Sequence, residues 1–243
     1  MWQKIKHELN KYRHAWPLLY FCLYVPWFFL LEYCDNEHIR TITYIHCPLD
    51  DLIPFNEWFI IPYFLWFLYT PAVFVFLFFH SKNEFYRICA FQFTGMTVAL
   101  IIFTVFPTGL HLRPDVLPRD NILTDLVQNL LYHADTPTNV LPSIHVFGTI
   151  ATHICLVKSP HMSAFTVRRH LKVFSGVLVV LIVLSTMFLK QHSVYDVLAG
   201  IALTVVMYIV TFKIFFRNWE FPGPVGYDPD EHQVLFFLNK KKK

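Results

Sequence analysis

The stretch Lys190-Gln191-His192-Ser193-Val194-Tyr195-Asp196 stands between two long apolar runs, Val173–Leu189 and Val197–Phe212. Charged and titratable side chains at the edge of hydrocarbon are expensive, so a polar cluster between membrane-length runs reads as a functional site carried on helices. On a helix, His192 and Asp196 would fall four residues apart on one face, where the carboxylate can orient the imidazole. A second cluster, Pro142-Ser143-Ile144-His145, lies near the head of another apolar run, Val140–Val157. Pro142 suits the first turn of a helix there, and Ser143 with nearby backbone N–H groups would make an anion site at that helix start.

The rest of the chain fits the same plan. Of its 243 residues, 55% are apolar, 18% aromatic and only 15% charged. Mean hydropathy is +0.43, a balance that points to a polytopic membrane protein. Three further runs, Ala15–Leu31, Trp58–Phe79 and Ile88–Phe106, bring the number of expected spans to six, each near the ~20 residues that cross ~30 Å of hydrocarbon. Pro17, Pro26, Pro62 and Pro71 lie within the first two, where kinks are expected. The expected fold is therefore all-α: six transmembrane helices in one bundle. It forms a single membrane-embedded domain over 1–243, with short tails and a motif region at about 106–200. Only seven glycines occur, with no Gly-rich nucleotide loop. The basic residues follow the loops between spans, so the charge of +3 carries no nucleic-acid signal.

Those basic residues set an orientation. Lys4, Lys6, Lys11, Arg13, Lys82, Arg87, Lys158, Arg168, Arg169, Lys172, Lys213, Arg217 and Lys240 to Lys243 fall on one side of a six-span chain; Arg40, Arg113, Arg119 and Lys190 fall on the other. The positive-inside rule puts both termini in the cytoplasm and both polar clusters on the exoplasmic face; the cell membrane is the expected location. The N-terminus lacks a small-residue cleavage site, which favours a retained first helix. The four terminal lysines read as a solvated polybasic tail, or as a cytosolic retrieval signal. Cys34 and Cys47 fall near one exoplasmic loop, where a disulfide is chemically allowed. No CxxC or Cys/His zinc spacing appears among the five cysteines.

Arg113-Pro114, Pro142-Ser143-Ile144-His145 and His192-x-x-x-Asp196, in that order, resemble the motif set of the type-2 phosphatidic acid phosphatase superfamily. The vanadium haloperoxidases and the sphingomyelin-synthase-like phosphotransferases share it. The resemblance implies His192 as the nucleophile that takes a phosphoryl group, Asp196 as the carboxylate that orients it, and His145 as the acid for the departing oxygen. Arg113 and Ser143 match phosphate ligands. It implies neither metal nor cofactor; the partners it implies are a membrane lipid phosphate and the bilayer. Two departures bear on the substrate. Phe106 stands where the phosphatases carry a lysine, and Thr186 stands where they carry an arginine. Lys190, two residues before His192, is the candidate replacement cation and brings the chain closer to the sphingomyelin-synthase branch.

The expected activity is hydrolysis of a lipid phosphate, with transfer of a phospho-headgroup to a lipid hydroxyl as the alternative. A non-enzymatic lipid-binding or transport protein on the same scaffold is the rival from another class. Asp196 as a plain helix-start residue, Arg113 as an interface anchor and Lys190 as a snorkelling lysine are the structural alternatives for those residues. Asp135 reads as part of a turn or of the site's mouth.

Overall fold

In a computed structural model of the chain, residues 12–36, 39–117, 119–159 and 168–216 are described. Lys4, Lys6, Lys11, Arg217 and the four terminal lysines lie outside them, as does the side chain of Arg168. All six apolar runs form helices. A tight 3-10 stretch, Arg13–Tyr20, leads into α1 (Phe21–Asn36). Then come α2 (Ile60–His80), α3 (Lys82–Val105), α4 (Ile144–Lys158), α5 (Arg168–Phe188) and α6 (Val194–Tyr208), the last continuing in wider turns to Phe215. Five of these stretches are long and apolar enough to cross a membrane. The other, α4, has 15 residues and is ~22 Å long.

Helix α4 lies among the other helices. It packs against α2, α3, α5 and α6 and forms the centre of the bundle. Val146, Phe147, Thr149, Ala151 and Thr152 on it are fully buried. The apolar surplus faces outward elsewhere: Leu68 and Phe29 are 69% and 65% exposed, which is compatible with a multi-pass membrane protein. Two glycines allow the close approach to α4. A Cβ on Gly95 of α3 would lie 2.0 Å from the ring of Phe147, and one on Gly200 of α6 would lie 2.8 Å from the carbonyl oxygen of Ser143. Small residues at such crossings are the usual device when lipid removes the hydrophobic drive for helix association. Polar side chains add to it: Gln92 on α3 donates to the Gly148 carbonyl (2.7 Å) and to Thr152 Oγ1 (2.8 Å) on α4.

Local chemistry sets the boundaries. Ser81 caps α3, its hydroxyl accepting from the Glu84 N–H, so α3 begins six residues before the apolar run does. Pro62 falls in the first turn of α2, where a missing N–H costs nothing. Pro17 falls in the 3-10 stretch, while Pro26 and Pro71 lie inside α1 and α2. Only one residue, Ser81, separates α2 from α3, so that end of the bundle is tight. Near it Lys158 lies over the Tyr208 ring (5.1 Å) and Arg87 over the Phe216 ring (5.7 Å).

The opposite end is capped by loops, and there the all-α expectation needs a small correction. Strand β1 (Thr43–Tyr44) pairs in parallel with β2 (Thr108–Gly109), and Gly109 also bridges to Thr138. Three separate loops are thereby stitched together above the helix ends. Cys34 and Cys47 are both free thiols, so the allowed disulfide is not formed.

The packing of Phe147 against Gly95 gives a stability test. Gly95→Ala is expected to destabilise the purified protein by about 1–3 kcal/mol through overpacking, and adding Phe147→Leu should recover part of it. Gly176→Ala, whose Cβ would meet only the His153 ring at 3.6 Å, should be tolerated. Thermal unfolding in detergent reads all three.

Candidate active site

The two histidines singled out in the sequence meet. His145 Nδ1 and His192 Nε2 are 3.5 Å apart, at the starts of α4 and α6, beside the start of α2. Both polar clusters are helix beginnings, but their local structure differs from the expectation in two respects. Helix α6 starts at Val194, so His192 precedes it and Ser193 is its N-cap. Pro142 likewise precedes the N-cap Ser143 of α4, not the first turn, and follows a cis peptide bond. Asp196 comes near His192 by folding back over a helix start, not by lying one turn below it on a helix face.

Asp196 therefore has two tasks. Its Oδ2 accepts the Ser193 backbone N–H at 2.8 Å in a capping box. The same oxygen is 3.4 Å from Nδ1 of His192, within ion-pair range but not aligned as a hydrogen bond. His192 Nδ1 and Asp196 Oδ1 are buried without a hydrogen-bond partner. The helix-start role is thus real, and it holds the carboxylate where the orienting role needs it.

Ser143 is fully buried, and its hydroxyl accepts from the Val146 N–H at 3.3 Å. Its backbone N–H donates to the carbonyl oxygen of Asp196 (3.1 Å), tying the start of α4 to the first turn of α6. The hydroxyl hydrogen remains available as a donor. Arg113 is drawn in by the loop that precedes α4. It donates to the carbonyls of Tyr132 (3.1 Å) and Asp135 and to Oε1 of Gln191 (2.7 Å), and it lies 4.3 Å over the Tyr132 ring. Burial lowers its pKa, while Asp135, Tyr132, Tyr63 and Glu32 act to raise it; a guanidinium so placed stays charged. Arg113 Nε and Gln191 Nε2 are buried donors without partners.

Lys190 has a left-handed backbone (φ 57°), and its ammonium donates to the carbonyls of Asp50 (2.8 Å) and Ile53. Burial lowers its pKa, against the pull of Asp50 and Asp51. Its hydrogen bonds go to the loop after α1, and none goes to the histidine pair.

Several residues of the site carry no mark in the sequence. Asp50 is 2% exposed; its carboxylate accepts from Ser193 Oγ (2.7 Å), Val194 N–H (2.8 Å) and Cys47 N–H (2.8 Å). An anion at a helix start is favourable, and this one clasps the segment that carries His192. Tyr63 on α2 lies 3.0 Å from His145 Nε2 and donates to Asp135 Oδ2. Glu32 and Asp35, at the end of α1, accept from Asn139 Nδ2 at 2.8 Å each; Thr136 donates to Glu32 and Arg40 to Asp35. This network holds the loop between Asp135 and Pro142. The only available signals were the acidic residues interrupting the end of the first apolar run and the Asp50-Asp51 pair.

No family model matches this chain, and it has no match among curated proteins or solved structures.

The Asp50 clasp is testable against its neighbour. Asp50→Ala leaves the Ser193, Val194 and Cys47 donors unpaired and should cost roughly 2–4 kcal/mol. Asp51→Ala removes an exposed pair with His46, the two side chains being 66% and 52% exposed, and should cost under ~0.5 kcal/mol. Equal shifts in thermal unfolding would contradict the clasp.

Proposed function

We propose that this protein is an integral membrane lipid-phosphate phosphatase that works through a phosphohistidine. The observation that carries the reading is the approach of two imidazoles, His145 and His192, to 3.5 Å at the mouth of a bundle of apolar helices. A buried carboxylate stands beside one of them and a half-buried arginine is bonded to the residue next to it in the chain. The ordered motif set, which resembles the type-2 phosphatidic acid phosphatases, supports the same reading. So does the charge pattern, with Arg87 and Lys158 at the end of the bundle away from the histidines.

In this reading the chain crosses the membrane six times, α4 being the short central span, and the site faces the exoplasmic side. The lipid chains stay in the bilayer while the head group reaches the histidines. With its Nδ1 proton directed to Asp196, His192 attacks phosphorus through Nε2. The bond to the lipid oxygen breaks, and His145 Nδ1–H protonates that oxygen as it leaves. Water then attacks the phosphohistidine and gives a proton to His145, releasing phosphate and restoring both rings. Arg113, Gln191 Nε2 and the Ser143 hydroxyl are the donors for charge spread over the phosphoryl oxygens.

Transfer of a phospho-headgroup to a lipid hydroxyl is the second reading. One observation favours it: Arg113 bonds the residue next to His192, while Lys190 is engaged by loop carbonyls. A phosphodiester carries one negative charge and needs fewer cations than a monoester. The two readings separate when purified protein is given a lipid phosphate monoester, then a diester with a hydroxyl acceptor lipid.

For either reading, His192→Ala should abolish turnover without unfolding the protein. His145→Ala should slow an alkyl ester about 10²-fold or more and an aryl ester much less. Vanadate should inhibit and chelators should not. Inhibition by a chelator that a divalent metal reverses would contradict the mechanism.

A further inference from the structure

Tyr63 belongs to none of the sequence motifs, yet it is fully buried and its hydroxyl sits between two groups of the site. An ionised carboxylate is an acceptor only, so the phenol proton points at Asp135. The phenol oxygen then offers His145 nothing but lone pairs, and Nε2 of His145 must carry a proton. The neutral His145 ring is thereby left with its lone pair at Nδ1, the atom that faces Nε2 of His192 at 3.5 Å. In the imidazolium, that same atom bears the second proton.

The surroundings make this arrangement rigid. The Trp66 ring packs 4.5 Å from the His145 ring, and the Tyr63 ring packs at 5.0 Å. Asp135 Oδ2 is 4.0 Å from His145 Nε2, on the far side of the ring from His192. The Asp135 backbone is fixed by Arg113, and the residues after it by Glu32 and Asp35. The titratable groups that face His145 are thus Asp135, Tyr63 and the His192 ring.

We propose that Tyr63 and Asp135 are positioning residues for His145: they hold the proton on its Nε2 and turn its Nδ1 toward the reacting group. As a device for leaving-group protonation this rests on the phosphoryl-transfer reading above. No proton travels along the chain of bonds. The proton on Nδ1 passes to the departing oxygen and one returns from the acceptor, while Nε2–H and the Tyr63 hydroxyl keep theirs.

Two measurements on purified protein in micelles test it, with Tyr63→Phe and Asp135→Asn as variants. Kinetics are taken on phosphatidic acid and on p-nitrophenyl phosphate. Both variants should lose about 10–100-fold in kcat on the alkyl ester and under about threefold on the aryl ester, whose leaving group needs no proton, with KM little changed. Nitrogen-15 NMR of the histidines, with His145 assigned through His145→Gln, should show the Nε2–H tautomer in the unaltered protein and a mixture in Tyr63→Phe. An Nδ1–H tautomer in the unaltered protein, or equal losses on both esters, would overturn the proposal. Inactivity of the unaltered protein on both esters, with the Nε2–H tautomer in place, would uphold the ring-fixing role and count against phosphoryl transfer instead.

Discussion

The hydrogen bond from the Ser143 N–H to the Asp196 carbonyl, 3.1 Å long, is the constraint on which the site depends. It joins two helix starts that are far apart in sequence. It is possible only because Gly200 has no side chain where the Ser143 carbonyl passes. With α4 and α6 held there, two positions at the helix starts are fixed: His145 just inside α4 and His192 just before α6. Their 3.5 Å approach follows from backbone geometry, not from any strong attraction between the rings. Helix starts also supply unpaired N–H groups and a positive dipole end, which suit an anion. The same end of the bundle carries the buried carboxylates Asp50 and Asp196, whose hydrogen bonds consume some of those donors and fix the geometry of the rest.

The two ends of the bundle are built differently. At one, a single residue turns α2 into α3 and basic side chains lie on aromatic rings. At the other, a short parallel β pair and a carboxylate–amide network around Glu32, Asp35 and Asn139 tie three loops together. Buried charges there are each hydrogen-bonded, as they must be to lie so near an apolar interior. Those ties hold two imidazoles and a guanidinium in place at this end of the bundle.

Much of this was legible in the sequence, and the parts that were not share a cause. Apolar runs reveal helices because their length and composition are local properties, and all six runs became helices. The His192/Asp196 spacing was read correctly as a proximity but for the wrong local structure, since Ser193 caps α6 and starts it after His192. Lys190 was legible as a cation near His192; that its ammonium turns to the Asp50 and Ile53 carbonyls depends on a loop about 140 residues away. Tyr63 is one of 12 tyrosines in an aromatic-rich chain, so nothing local distinguishes it. Asp50, Asp135 and Gln191 are likewise defined by partners that only folding brings near.

The claim at the centre of this account is that His192 carries a phosphoryl group during turnover. The most direct measurement is a rapid acid and alkaline quench of purified protein mixed with a lipid phosphate radiolabelled at phosphorus. The account predicts label on the protein that survives alkali, is lost in acid, maps to the peptide containing His192 and is absent from His192→Ala. Turnover without protein-bound label, or label that persists in His192→Ala, would contradict it.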